Sequence, residues 1–207
     1  VVLDQVVAKL NKDLSNEFVV HIKKNGIEYL QFRKLLEYSD IITHAYSLGI
    51  DKNFRTARAN KEKLPKEELE KALENYEVLG RNVDIELKDM AKPNQNHTDN
   101  VQIINKKVLT DKPDFNLDEY NKTDGLITSK PGIAIGSTNA DCILIYIFDP
   151  VKKVIANVHS GWKGTFQKIG KKAAQKMIKE YGCNPQDLIV CMCPSIRKCH
   201  FEVGEEV

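Results

Sequence analysis

Asn139-Ala140-Asp141-Cys142-Ile143-Leu144-Ile145-Tyr146-Ile147-Phe148-Asp149-Pro150 leads, after a short gap, into Val154-Ile155-Ala156-Asn157-Val158-His159-Ser160-Gly161-Trp162-Lys163-Gly164-Thr165. The run 143–148 is apolar, β-branched and aromatic, ends at Asp-Pro, and reads as a buried strand. Residues 154–158 read as the next strand, after a turn at 149–153. Cys142 then enters one strand and His159 leaves its neighbour. Antiparallel pairing brings a thiol and an imidazole to the same end of a sheet, just ahead of a glycine-flanked turn into a helix. Reactive and metal-binding sites are commonly built this way.

The chain has 207 residues, enough for one large domain, and no linker argues for a second. A net charge of +2 with interspersed acids and bases provides no basic stripe, so nucleic acid is not an expected partner. The apolar runs are far short of a membrane span, and the N-terminus lacks the features of a secretory signal. A cytoplasmic location is therefore expected. Five cysteines without framework spacing argue against stapling disulfides, and Cys191 and Cys193 are expected as buried core thiols.

Apolar residues at helical spacing suggest a helix over residues 2–14. Phe18 to Phe32, centred on Asn25-Gly26, reads as a β-hairpin with a type I′ turn. Residues 41–47 resemble a strand. Pro65 opens an amphipathic helix with Glu67 and Glu68 in its first turn and Gly80 as the expected C-cap. Residues 83–87 and 101–104 read as strands, and 111–123 as irregular. Residues 125–128 and 133–135 are short β segments. A helix is expected from Thr165 to Tyr181, then a strand over 188–192. The pattern is strand-rich and mostly hairpin-linked, with too few helices to cover both faces of a parallel sheet. It points to an α+β fold with layered mixed sheets.

Three zinc-type ligands stand at separate strand ends: His97, Cys142 and His159. Two histidines and a thiolate suit zinc and leave a fourth position open. The same atoms permit another chemistry, with Cys142 as nucleophile and His159 as its base. In either case the turn at 161–165 offers backbone N–H groups and the Lys163 cation to an oxyanion or phosphate. No Walker A pattern is present.

Taken together, Asn139-Ala140-Asp141-Cys142, His159 to Thr165, and Cys193-Pro194-Ser195-Ile196 through Cys199-His200-Phe201-Glu202-Val203-Gly204 resemble three motifs of one family. Its patterns are T-A-D-C, H-A-G-W-R-G-T and G-P-S-I-G-x-x-x-Y-E-V-G. Gln95-x-His97-x-x-x-Val101 and Asp124-Gly125-Leu126-Ile127-Thr128 match two further elements. This is the YfiH-type laccase-domain family, called the multicopper polyphenol oxidase family in older naming. The resemblance spans about Tyr29 to Val207. It implies a four-layer α/β/β/α fold similar to the catalytic domain of cytotoxic necrotizing factor. It also implies one zinc held by His97, Cys142 and His159, and action on purine nucleosides. The implied reactions are phosphorolysis of adenosine, inosine and methylthioadenosine, and deamination of adenosine. Three departures stand out. The family's S-T-R-x-G-G element has no counterpart after His44-Ala45-Tyr46-Ser47, Lys163 replaces an arginine, and Cys193 replaces a glycine. The family pattern also continues through another strand and helix, so the chain is expected to lack the C-terminal part of the domain.

The expected centre is thus a zinc-dependent purine nucleoside enzyme. His97, Cys142 and His159 are its metal ligands, Asp141 a catalytic orienter or proton carrier, and Lys163 and Thr165 contacts to substrate. Its partners would be a purine nucleoside and phosphate, with a homodimer left open. Two alternatives remain: a cysteine hydrolase or amidase of peptidoglycan-editing type on Cys142 and His159, and a non-catalytic zinc-stabilised scaffold. Copper is less well suited. A multicopper oxidase needs a blue His2Cys site plus a histidine-rich cluster, and the chain has five histidines in all.

Overall fold

Alternation along the buried strands sets the layers. In a strand, successive side chains leave opposite faces of the sheet. Strand β9 (Ile143–Asp149) sends Ile147 to one core cluster and Leu144 and Phe148 to another. Strand β2 (Ile27–Phe32) divides likewise, with Ile27 and Tyr29 on one side and Leu30 and Phe32 on the other. Strands apolar on both faces belong between two covering layers.

In the computed structural model, which describes residues 12–49, 52–54, 64–105 and 116–205, those layers are a helix, two tiers of sheet and a second helix. A one-turn helix, α1 (Arg33–Leu36), follows β2, and the outer helices are α2 (Lys66–Asn82) and α4 (Ile169–Tyr181). The central sheet has five strands in the order β11 (Ile189–Met192), β9, β10 (Val154–Ser160), β7 (Gly125–Thr128), β5 (Val101–Ile103). Strands β5 and β7 are parallel and the other pairs antiparallel. Ile169, Ala173 and Met177 of α4 cover one face of this sheet. The opposite face meets a three-stranded sheet of β1 (Val19–Lys24), β2 and β3 (Tyr46–Ser47). Beside it lies a third sheet, ordered β6 (Asn116–Asn121), β4 (Met90–Asn94), β8 (Ala134–Ile135). The fold is α+β with mixed sheets, as expected.

The hairpin and the β9–β10 pair form as read. Asn25 and Gly26 take φ values of 52° and 74°, which the I′ turn requires. Ser160 pairs with Ile143, so Cys142 and His159 share one end of the sheet.

Other elements differ. Within 41–47 only Tyr46 and Ser47 are strand, because the His44 side chain takes the place of a ladder partner: its Nε2 accepts the Phe32 N–H at 2.7 Å. Helix α2 runs past Gly80 to Asn82. The glycine serves close approach instead, since a Cβ there would sit 2.3 Å from the Ile85 carbonyl oxygen. That turn and the 3-10 segment Leu87–Asp89 replace the strand expected at 83–87. The helix expected from Thr165 is two: α3 (Trp162–Phe166) and α4, broken at Lys168, whose φ is 62°. A strand, β6, occupies part of the stretch expected to be irregular. The helix expected over residues 2–14 lies outside the described residues except for 12–14, which are not helical. Among the described residues no helix is long and apolar enough to cross a membrane.

Candidate functional site

Three separate elements deliver the predicted ligands to one point. His97 lies in the loop between β4 and β5, Cys142 at the entrance of β9, and His159 near the end of β10. One donor atom from each lies within 4.8 Å of the others. The imidazoles of His97 and His159 meet edge to face, with ring centroids 5.1 Å apart.

The residue that organises this cluster is Asp124, which sequence reasoning noted only as part of a motif. It is fully buried just ahead of β7. Its carboxylate accepts the backbone N–H groups of Asn96 (3.2 Å), His97 (3.0 Å) and Thr98 (2.7 Å), and the Thr98 hydroxyl at 2.7 Å. Its Oδ1 also lies 2.9 Å from Nδ1 of His159. An ionised carboxylate can only accept, so Nδ1 carries the proton and Nε2 is presented to the cluster. One buried carboxylate thus folds the His97 loop and orients the His159 ring. The loop needs that support, because His97 sits at φ 57°, a left-handed conformation that is costly for a side chain with a Cβ.

Gly161 makes room for the group. A Cβ on it would lie 2.6 Å from Cδ2 of His97 and 3.5 Å from Sγ of Cys142. Asn139 donates from Nδ2 to the Cys142 carbonyl at 2.6 Å and fixes the approach of that residue.

The electrostatics separate the two imidazoles. Burial works against a charged His159, but hydrogen bonds to Asp124 and Cys142 outweigh it and raise its pKa to about 9. His97, although exposed at the cleft, moves down, through partial desolvation first and then the neighbouring charges of His159 and Lys163, with Asp124 opposing. Burial alone would raise Asp124. Hydrogen bonds from His159, Thr98 and the Asn96 and Thr98 backbone instead hold it below the ordinary carboxylate value.

The cluster opens on a cleft of about 1470 Å³, whose lining includes His97, Asp141, Cys142 and His159. Asp141 is exposed, one residue before Cys142, and its carbonyl accepts the Ile196 N–H at 3.1 Å. Lys163 and Thr165 lie outside that lining. The Lys163 Nζ rests over the Trp162 ring, 5.2 Å from its centroid. Thr165 engages its hydroxyl with Ser160 Oγ at 2.8 Å, and its N–H goes to the Gly161 carbonyl at 2.8 Å.

Two histidines and a thiol with a carboxylate behind one ring form a donor set that can bind a metal. Residues 52–207 match the family model described as multi-copper polyphenol oxidoreductase laccase. A purine nucleoside phosphorylase of Bacteroides thetaiotaomicron is 32% identical over 141 residues, which are 68% of this chain and 52% of that protein. An adenosine deaminase, RL5, from an unknown prokaryotic organism is 32% identical over 63% of this chain and 49% of its own length. The chain spans about half the length of these curated relatives. The crystal structure of the Bacillus licheniformis protein YfiH aligns with a TM-score of 0.67 at 21% identity, covering 93% of this chain and 68% of that one. The family model covers three quarters of the sequence, and the layered fold agrees with it: the chain belongs to the multi-copper polyphenol oxidoreductase laccase family.

Proposed function

We propose that this chain carries the centre of a zinc-dependent purine nucleoside enzyme, which phosphorolyses adenosine, inosine or methylthioadenosine and deaminates adenosine. The observation that carries the reading is the convergence of His97, Cys142 and His159 within 4.8 Å, with Asp124 fixing one ring and the backbone of the other. Purine nucleoside phosphorylases and an adenosine deaminase among the relatives support the substrate class.

His97, Cys142 and His159 would hold the metal, and the open cleft leaves a position for substrate. Bound zinc supplies Lewis-acid chemistry toward a water or phosphate oxygen. The protein's part is orientation. Asp124 keeps the His159 Nδ1 proton in place so that Nε2 is a donor to metal. Asp141, one of the cleft-lining residues and next to Cys142 in sequence, would carry a proton to or from the substrate. Lys163 supplies a cation for phosphate once its Nζ swings off the Trp162 ring, and Thr165 holds that turn through Ser160.

The other histidines favour zinc over multicopper chemistry. His21 pairs with Glu28, His44 accepts from the backbone, and His200 meets the exposed Cys199. None of these joins the cluster, and among the described residues no second group of three such ligands occurs.

One observation favours a second reading. Cys142, His159 and Asp124 stand in series, the carboxylate bonded to Nδ1 of His159 and the Cys142 sulfur within 4.8 Å of a nitrogen of that ring, the order a cysteine hydrolase requires. It leaves the strained placement of His97 without a purpose, which the metal reading explains. The deciding experiment measures metal content and adenosine turnover, with and without phosphate, on one preparation. Zinc near one per chain that is lost in Cys142→Ala, with adenine released only in phosphate, supports phosphorolysis, and inosine in either buffer supports deamination. Zinc without turnover leaves a scaffold. Metal-free protein inactivated by iodoacetamide would hand the site to the hydrolase.

A further inference from the structure

In the cleft, two buried polar atoms have no partner among the described residues. Asn157 is 6% exposed. Its Nδ2 donates to the Ile135 carbonyl at 3.1 Å, while its Oδ1 accepts nothing. The orientation is not ambiguous, because reversing the amide would set two oxygens against each other. The Oγ of Ser137, two residues past Ile135, is likewise buried and unpartnered. Both residues line the cleft that holds His97, Cys142 and His159. Native interiors leave few buried polar atoms unpaired, and each calls for an explanation.

Position gives that explanation. Asn157 and His159 are alternate residues of β10, so their side chains leave the same face, about 6.6 Å apart along the strand. That separation is comparable with the long dimension of a fused bicyclic base. An unpaired carbonyl oxygen selects for an N–H or O–H donor and against phosphate, whose oxygens are themselves acceptors. The neighbours of Asn157 are flat or apolar: Tyr146 and Leu126 lie opposite it in the sheet, and Ile135 holds its amide. Such walls suit the faces of a ring system better than a polyhydroxylated sugar.

We infer that Asn157, with Ser137 of the same cleft, is the specificity-determining acceptor for the N–H donor on the six-membered ring of a purine base. That donor is the exocyclic amine of a 6-aminopurine or N1–H of a 6-oxopurine. The inference rests on the purine-nucleoside reading above and extends it to the identity of the base contact.

The test uses the zinc-loaded full chain with N6-methyladenosine, which keeps one N–H, and N6,N6-dimethyladenosine, which has none. Dissociation constants and KM are read beside kcat. The wild type should prefer the donor-bearing ligand by roughly tenfold to a hundredfold, in Kd and KM rather than kcat. Asn157→Leu should abolish that preference while retaining zinc, and Ser137→Ala should weaken it. An unchanged preference in Asn157→Leu overturns the assignment. So does a variant that instead loses discrimination between adenosine and 2′- or 3′-deoxyadenosine, which would place the contact on the sugar. If Asn157→Leu does not fold, an unchanged preference in Ser137→Ala overturns it. A wild type that binds and turns over no purine nucleoside overturns the functional reading, and this assignment with it. Nucleoside binding without the donor preference overturns this assignment alone.

Discussion

Asp124 Oδ1 lies 2.9 Å from His159 Nδ1 and also accepts the backbone N–H of His97 at 3.0 Å, so one oxygen orients two candidate ligands on different elements. A contact shared in this way makes ligand geometry and loop folding a single variable. Disturbing it should affect both.

Asp124→Asn keeps the shape and removes half of the accepting capacity. Its amide group would face N–H donors of the Asn96–Thr98 loop or of His159, leaving a buried polar clash. Metal affinity should fall by roughly 10–100-fold, as for losses of other carboxylates behind ligating histidines. Stability should drop by about 1–3 kcal/mol. Metal titration and thermal unfolding of the two proteins decide it. Unchanged affinity would remove Asp124 from the site.

Gly161→Ala tests the cradle. The added methyl would sit 2.6 Å from Cδ2 of His97, a ring already held by its own loop, so the ring or the turn must move. The expected cost is about 1–3 kcal/mol of stability, with metal binding weakened while the fold persists. Circular dichroism paired with metal content reads both. Full zinc occupancy at wild-type affinity would mean that the three ligands tolerate a wider spacing.

These two residues mark where the sequence was legible and where it was not. Strands β9 and β10 were readable because their apolar runs are long and the intervening turn is short, so Cys142 and His159 could be placed together by pairing alone. Pairing alone set His97 only at a loop–strand boundary, because the parallel contact of β5 with β7 is not local in sequence, and only the family resemblance grouped it with the other two. Asp124 precedes β7 and acts on Asn96–Thr98 and on His159, 35 residues away, a relation with no periodicity to betray it. Residues 41–45 misled by composition. Ile41 and Ile42 favour a strand, but a strand needs a partner, and the Phe32 N–H was already taken by an imidazole.

If the centre binds metal as proposed, chelation removes a ligand that favours the native state, so melting temperature should fall, and fall further with more chelator. Cys142 reports the same event chemically. It should resist iodoacetamide in the loaded protein and react once metal is withdrawn. The buried thiols Cys183, Cys191 and Cys193 should stay protected in both states, since burial leads the causes that push them up to about 12, 11 and 12. Mass spectrometry of the alkylated peptides separates these sites. Equal Cys142 labelling with and without chelator would argue against a metal–thiolate bond.

The acid limb of stability should belong in part to His44. Burial lowers its pKa to about 4, and its Nε2 accepts the Phe32 N–H, which only the neutral ring can do. In the unfolded chain the ring titrates near 6.5. Between those values the unfolded state binds a proton that the native state refuses. The contribution of His44 is therefore whole above pH ~6.5 and is lost as pH falls toward about 4. The loss is at most about 3 kcal/mol. Urea midpoints should decline over this window in the wild type. In His44→Gln, whose side-chain oxygen can accept the same N–H without titrating, the decline should be shallower. Parallel declines in both proteins would assign the acid limb to other groups and leave His44 protonated, or exposed, in the native state.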